Sequence, residues 1–90
     1  MSAVRKRVVV RGRVQGVFFR DAAQRRASSR GVAGWVTNRS DGAVEAVFEG
    51  DPDAVDSLVE FMRKGPRSAE VSDVEVSDED PEGLSSFDVR

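Results

Sequence analysis

Nine consecutive residues, Gly12-Arg13-Val14-Gln15-Gly16-Val17-Phe18-Phe19-Arg20, combine two glycines four positions apart with an arginine shortly after the second. Glycine removes the side chain where a backbone must turn or approach a ligand closely. The N–H groups from Gln15 through Gly16, Val17 and Phe18 to Phe19 can therefore converge on one point. With a helix starting near Phe19, that point lies at a helix N-terminus, where the dipole favours negative charge by about 0.3–1 kcal/mol and N–H donors are free. Arg20 adds a planar fork suited to two oxygens of one anion. About five donors and one full positive charge suit a compact tetrahedral oxyanion. The stretch lacks the Lys-Ser/Thr pair of the usual nucleotide loop. Spacing alone leaves a plainer reading open, in which this is a glycine-containing turn and Arg20 a solvated first-turn residue.

A second stretch, Gly34-Trp35-Val36-Thr37-Asn38-Arg39-Ser40-Asp41-Gly42, ends a strand-like run on Asn38. A side-chain amide offers a donor and an acceptor without charge, enough to fix a water molecule. By position alone the simpler reading of Asn38 is a turn-starting residue.

The elements that must position these residues follow from periodicity. Val4, Val8 and Val10 alternate with Arg5, Arg7 and Arg11, the period of a strand, with Lys6 as the exception on the apolar side. Phe19, Ala22, Ala23 and Ala27 share one face of a helix predicted over 19–30, followed by Gly31. Two strand-like runs, 32–38 and 43–49, flank an Asp-Gly hairpin signal. Asp51 and Pro52 read as the N-cap and first turn of a second helix, and Val55, Leu58, Val59 and Met62 as its stripe until Gly65-Pro66. Val71, Val74 and Val76 mark a fourth strand, and Phe87-Asp88-Val89 a short further one. The order βαββαβ, closed by two right-handed crossovers, predicts an α+β fold: a ferredoxin-like sandwich, one antiparallel sheet of four to five strands with two helices on one face. In this layout the first and second strands run the same way, so the 12–20 loop and Asn38 open at the same edge.

Composition narrows the function classes. Ninety residues suffice for one domain spanning 1–90. No apolar run reaches the roughly 20 residues that span a bilayer and no signal-peptide pattern is present, so a cytoplasmic location is expected. With no cysteine and no histidine, disulfides, thiolate nucleophiles and the usual zinc sites are excluded. Residues 1–30 carry a net +8 and residues 68–90 a net −7. The simpler reading is a basic strand beside an acidic one, with Arg5 and Arg7 facing residues such as Asp73 and Glu75. The other is a nucleic-acid-binding or interaction surface. Stacking aromatics on an RNA-binding sheet face are not expected, because the outward positions are Arg5, Arg7, Glu45 and Glu49.

The two stretches together resemble the acylphosphatase family. Residues 10–20 match its first motif, and Gly34-Trp35-Val36, Asn38, Gly42, Val44 and Gly50 its second, over essentially the whole chain. Two features depart from the family pattern: Thr37 precedes the asparagine where a long polar side chain is commoner, and Arg11 stands where an aromatic or histidine is common. The resemblance implies that Arg20 is the catalytic, phosphate-binding arginine. It implies that Asn38 positions the nucleophilic water, and that Gln15, Gly16, Val17, Phe18 and Phe19 complete the phosphate-binding loop. The implied reaction is hydrolysis of small acyl phosphates without metal or cofactor, by a monomer, with inorganic phosphate as product and inhibitor. Neither a membrane nor nucleic acid is an expected partner. The same module resembles the N-terminal domain of larger carbamoyl-transferring maturation proteins, which a chain ending at Arg90 would lack a partner domain to serve. The alternative function is a small basic-patch nucleic-acid-binding or interaction module of the same fold.

Overall fold

The computed structural model describes residues 3–90. Its elements are β1 (Val4–Arg13), α1 (Phe19–Ser29), β2 (Ala33–Asn38), β3 (Val44–Gly50), α2 (Pro52–Lys64), β4 (Glu70–Glu79) and β5 (Phe87–Val89). They build a five-stranded sheet in the order β4-β1-β3-β2-β5. Pairing is antiparallel except at one edge, where β5 runs parallel to β2. Helix α1 packs over β2 and β5, α2 over β1 and β4, and the two helices touch each other.

Strand parity sorts the side chains. Val8 and Val10 of β1, Val44, Ala46 and Phe48 of β3, and Val36 of β2 are fully buried in the core with the helices. Phe19, Ala23 and Ala27 of α1 and Val55, Leu58 and Met62 of α2 close the core from above. Ala22, expected on that face, is only half-buried. Asp51 holds the N-cap position of α2 and its carbonyl accepts the Val55 N–H at 2.9 Å, but its side chain makes no capping bond. Lys6 lies on the helix-side parity of β1, opposite Phe48, and its ammonium reaches Asp78 at 3.0 Å at the sheet margin.

The valine spacing of β4 is resolved by a bulge. Arg11 pairs with Asp73 and Gly12 with Val71, so Ser72 is an extra residue that donates its hydroxyl to the Arg11 carbonyl at 3.1 Å. That insertion puts Val71 back in phase with Val74 and Val76. Gly12 sits at the bulge with φ 125°, where a Cβ would run into the Glu70 carbonyl. Its absence of a side chain serves the β1–β4 contact, whereas the sequence assigned it to the loop.

The other face of the sheet carries the charge. The antiparallel register places Arg5 between Glu49 and Glu79. Arg5 donates to Glu79 at 2.8 Å and to Glu49 at 3.4 Å; Arg7 donates to Glu79 at 2.6 Å and to Glu45. The expected partners Asp73 and Glu75 instead lie opposite Arg11 and Val9, because the start of β1 meets the far end of β4. Basic strand therefore does lie against acidic strand, with different carboxylates. Trp35 shares this face, with Arg7 5.5 Å and Arg90 4.7 Å from its ring centroid. The sequence reading of an aromatic-free face had left it out.

Candidate active site

Gly16 adopts φ 73° and Phe18 φ 64°, ψ 23°, so two left-handed residues bend the chain between β1 and α1. Among the described residues, none of the backbone N–H groups of residues 15–18 donates to a backbone carbonyl. Phe18 is the N-cap of α1 and supplies no side-chain cap, which leaves the first-turn donors open as well. The loop is nevertheless fixed from three directions. Val14, Val17 and Phe19 are buried beneath it. The Gln15 side-chain amide donates to the carbonyls of Arg39 at 2.7 Å and Ala43 at 2.9 Å, and Ser68 donates to the Val17 carbonyl at 2.7 Å. Gln15 thus contributes to the loop through its main chain, while its side chain ties the loop to the β2–β3 hairpin. That hairpin connection was not legible from spacing.

Arg20 follows in the first turn of α1. Its Nη1 donates to the backbone oxygen of Arg90 at 2.8 Å, so the strand beyond β2 fixes one side of the guanidinium. Arg90 is held in turn by its N–H to the Val36 carbonyl at 2.8 Å. Neither β5 pairing nor this contact could be anticipated from a three-residue run.

Asn38 ends β2 on the parity of Gly34 and Val36, the helix side of the sheet. A turn-starting role would commit its amide to the hairpin. The hairpin is closed by others: Asp41 accepts the Ala43 N–H at 3.1 Å, Arg39 N–H donates to the Ala43 carbonyl at 2.8 Å, and Gln15 bridges both carbonyls. Asp41 is drawn down to a pKa of about 2, first by its hydrogen bond from Arg11 and then by the Ala43 N–H. It is a structural carboxylate of the turn.

One open cleft of about 430 Å³ collects Val14, Gly16, Phe18, Phe19, Arg20 and Asn38. It therefore brings the loop, Arg20 and Asn38 together. Asp21 and Gln24 from α1 and Val89 from β5 complete it, and these three were missed. A helical wheel from Arg20 would have found Gln24 at i+4. A slightly larger groove, about 480 Å³, runs between the helices beside Arg25, Arg26 and Phe61, with Arg26 4.5 Å from the Phe61 ring centroid. It contains neither the glycine loop nor a side-chain amide, whereas the smaller cleft contains both.

The sequence matches the family profile described as acylphosphatase over residues 6–89. The chain belongs to the acylphosphatase family. It is 52% identical over 90 residues to an acylphosphatase of Haloarcula marismortui, covering 100% of this chain and 99% of that protein. The crystal structure of the Bacillus subtilis acylphosphatase superimposes with a TM-score of 0.92 at 41% identity, covering 97% of this chain and 98% of that one. An acylphosphatase structure from Coxiella burnetii gives 0.92 at 40% identity, over 98% and 93% of the two chains. The ferredoxin-like sandwich predicted from element order is the one observed, with β5 as its fifth strand.

Proposed function

We propose that this acylphosphatase-family chain hydrolyses the carboxyl–phosphate anhydride of small acyl phosphates, with the amides of residues 15–20 and Arg20 holding the phosphoryl group and Asn38 placing the water. The observation that carries this reading is the meeting, along one cleft, of Gly16, Phe18 and Phe19 from a loop whose N–H groups bond no backbone carbonyl, one oriented guanidinium and one side-chain amide left out of its own turn.

The chemistry suits such a site. The leaving group is a carboxylate, whose conjugate acid has a pKa of about 4–5, so it departs without a general acid. This explains how a chain without histidine or cysteine can serve. Phosphoryl transfer proceeds through a loose transition state, for which positioning and charge stabilisation are the main requirements. The loop amides and Arg20 supply donors to the equatorial oxygens. Asn38 orients water for in-line attack, and the water proton passes to a phosphate oxygen of the substrate. The products are carboxylate and inorganic phosphate, the latter a competitive inhibitor because it is the held group itself. The reading includes a monomer acting on small molecules in the cytoplasm, with no call for metal or cofactor.

The test is phosphate release from benzoyl phosphate with and without EDTA. Turnover insensitive to the chelator is expected. Absence of turnover combined with salt-sensitive RNA binding would favour the nucleic-acid alternative instead.

A further inference from the structure

Phe18 is the one described non-glycine residue with positive φ, and its side chain is 77% exposed. Stability explains neither property. A left-handed N-cap is best filled by glycine or asparagine, and an exposed phenyl ring gains nothing from burial. Its neighbour Phe19 is buried at 2% exposure and already fills the core beneath the loop. A strained backbone that presents a bare aromatic ring at the mouth of a cleft points to a ligand contact.

The cleft is two-sided. Gly16, Arg20, Gln24, Asp21 and Asn38 are its polar members; Val14, Phe18, Phe19 and Val89 are its apolar ones. Val89 is 40% exposed and comes from β5. Substrates of the proposed reaction have the same two-sided character, a phosphoryl group joined to an organic acyl group. Asp21 adds a carboxylate to the lining, with Arg25 only 3.7 Å away as its partner. Resting on the function proposed above, we infer that Phe18 is a specificity-determining residue: with Val89 it forms an apolar rim that receives the acyl group, and it selects uncharged aromatic or branched acyl phosphates over small or anionic ones.

The test compares kcat/KM for benzoyl phosphate with that for acetyl phosphate in the wild type, Phe18→Asn and Phe18→Leu. Asparagine is the side chain that best tolerates the left-handed backbone, so this variant should fold, and circular dichroism checks it. The benzoyl-to-acetyl ratio should fall by about 3- to 10-fold in Phe18→Asn, the equivalent of one aromatic contact, and by less in Phe18→Leu. In the wild type, NMR titration with benzoate should shift the Phe18 ring and Val89 methyl signals, and acetate should do so more weakly. An unchanged ratio in the presence of benzoyl phosphate turnover, or benzoate shifts that bypass Phe18 and Val89, would overturn the inference while leaving the hydrolase reading intact. A wild type that hydrolyses neither substrate would sink the functional reading, and this inference with it.

Discussion

In the proposed reaction Arg20 meets the phosphoryl group in the ground state and the transition state alike, whereas Asn38 acts on water, so the two should fail in different ways when replaced. Arg20→Ala should weaken phosphate inhibition as well as lower kcat. Arg20→Lys should recover little of either, because a point charge cannot reproduce a planar fork that also donates to the Arg90 backbone oxygen. Steady-state kinetics with phosphate as inhibitor checks this, and near wild-type turnover in the lysine variant would show that charge alone suffices. Asn38→Ala should lower kcat by roughly 10²–10⁴, the effect of losing one positioning contact, while phosphate inhibition stays nearly intact. Thermal unfolding of the same variant separates a catalytic from a structural loss. Because Asp41 and Gln15 already close the hairpin, the melting temperature should move little.

At the scale of elements, β5 links the edge of the sheet to the site. Phe87 is buried and stacks on Phe48, with ring centroids 5.6 Å apart, and Arg90 just beyond the strand supplies the oxygen bound by Arg20. Phe87→Ala should cost about 3 kcal/mol, at about 4–8 °C of melting temperature per kcal/mol for a domain of this size. It should also weaken phosphate inhibition by about 5-fold, as expected for one loosened hydrogen bond. A destabilised variant with unaltered inhibition would show that β5 does not orient Arg20. The same strand marks the limit of what the sequence could tell. Helix α2 was legible because Val55, Leu58, Val59 and Met62 repeat at helical spacing, and Arg20 and Asn38 because motif and strand order put them at one edge. Phe87-Asp88-Val89 is too short to carry a partner in its pattern. Its parallel seat beside β2 arises from contacts made far along the chain, and so does the cleft position of Val89. The partners of Arg5 and Arg7 were misassigned for a related reason: alternation gives the face of a strand but not its register.

For the whole molecule, the charged face of the sheet holds the ends of the chain together. Glu49 is buried and accepts the N–H groups of Glu82, Gly83 and Leu84 at 2.8–2.9 Å, pinning the loop between β4 and β5, and Arg5 reaches it from β1. Burial is the largest single influence on its carboxyl and pushes the pKa up, but the three N–H donors and Arg5 together hold it below the usual value. Hydrogen bonds from Arg5 and Arg7 likewise lower Glu79. Folded-state pKa values below the unfolded value of about 4.3 mean that this stabilisation is complete above that pH and is lost as pH falls through the folded values. The melting temperature should therefore drop as the medium is acidified from about pH 5, and less steeply in Glu49→Gln, which should start from a lower stability at neutral pH. A melting temperature indifferent to pH in the wild type between about 5 and 3 would contradict this linkage. The central claim concerns the other side of the sheet, that a loop of backbone amides with one arginine is a phosphate site at which hydrolysis occurs. The measurement that reaches it most directly is an NMR titration with inorganic phosphate, read at every backbone amide and compared with phosphate inhibition of benzoyl phosphate hydrolysis. The account predicts the largest shifts at Gln15, Gly16, Val17, Phe18, Phe19 and Arg20, saturating at a Kd equal to the competitive inhibition constant. Shifts centred on another surface, or a Kd for this loop unrelated to inhibition, would contradict it.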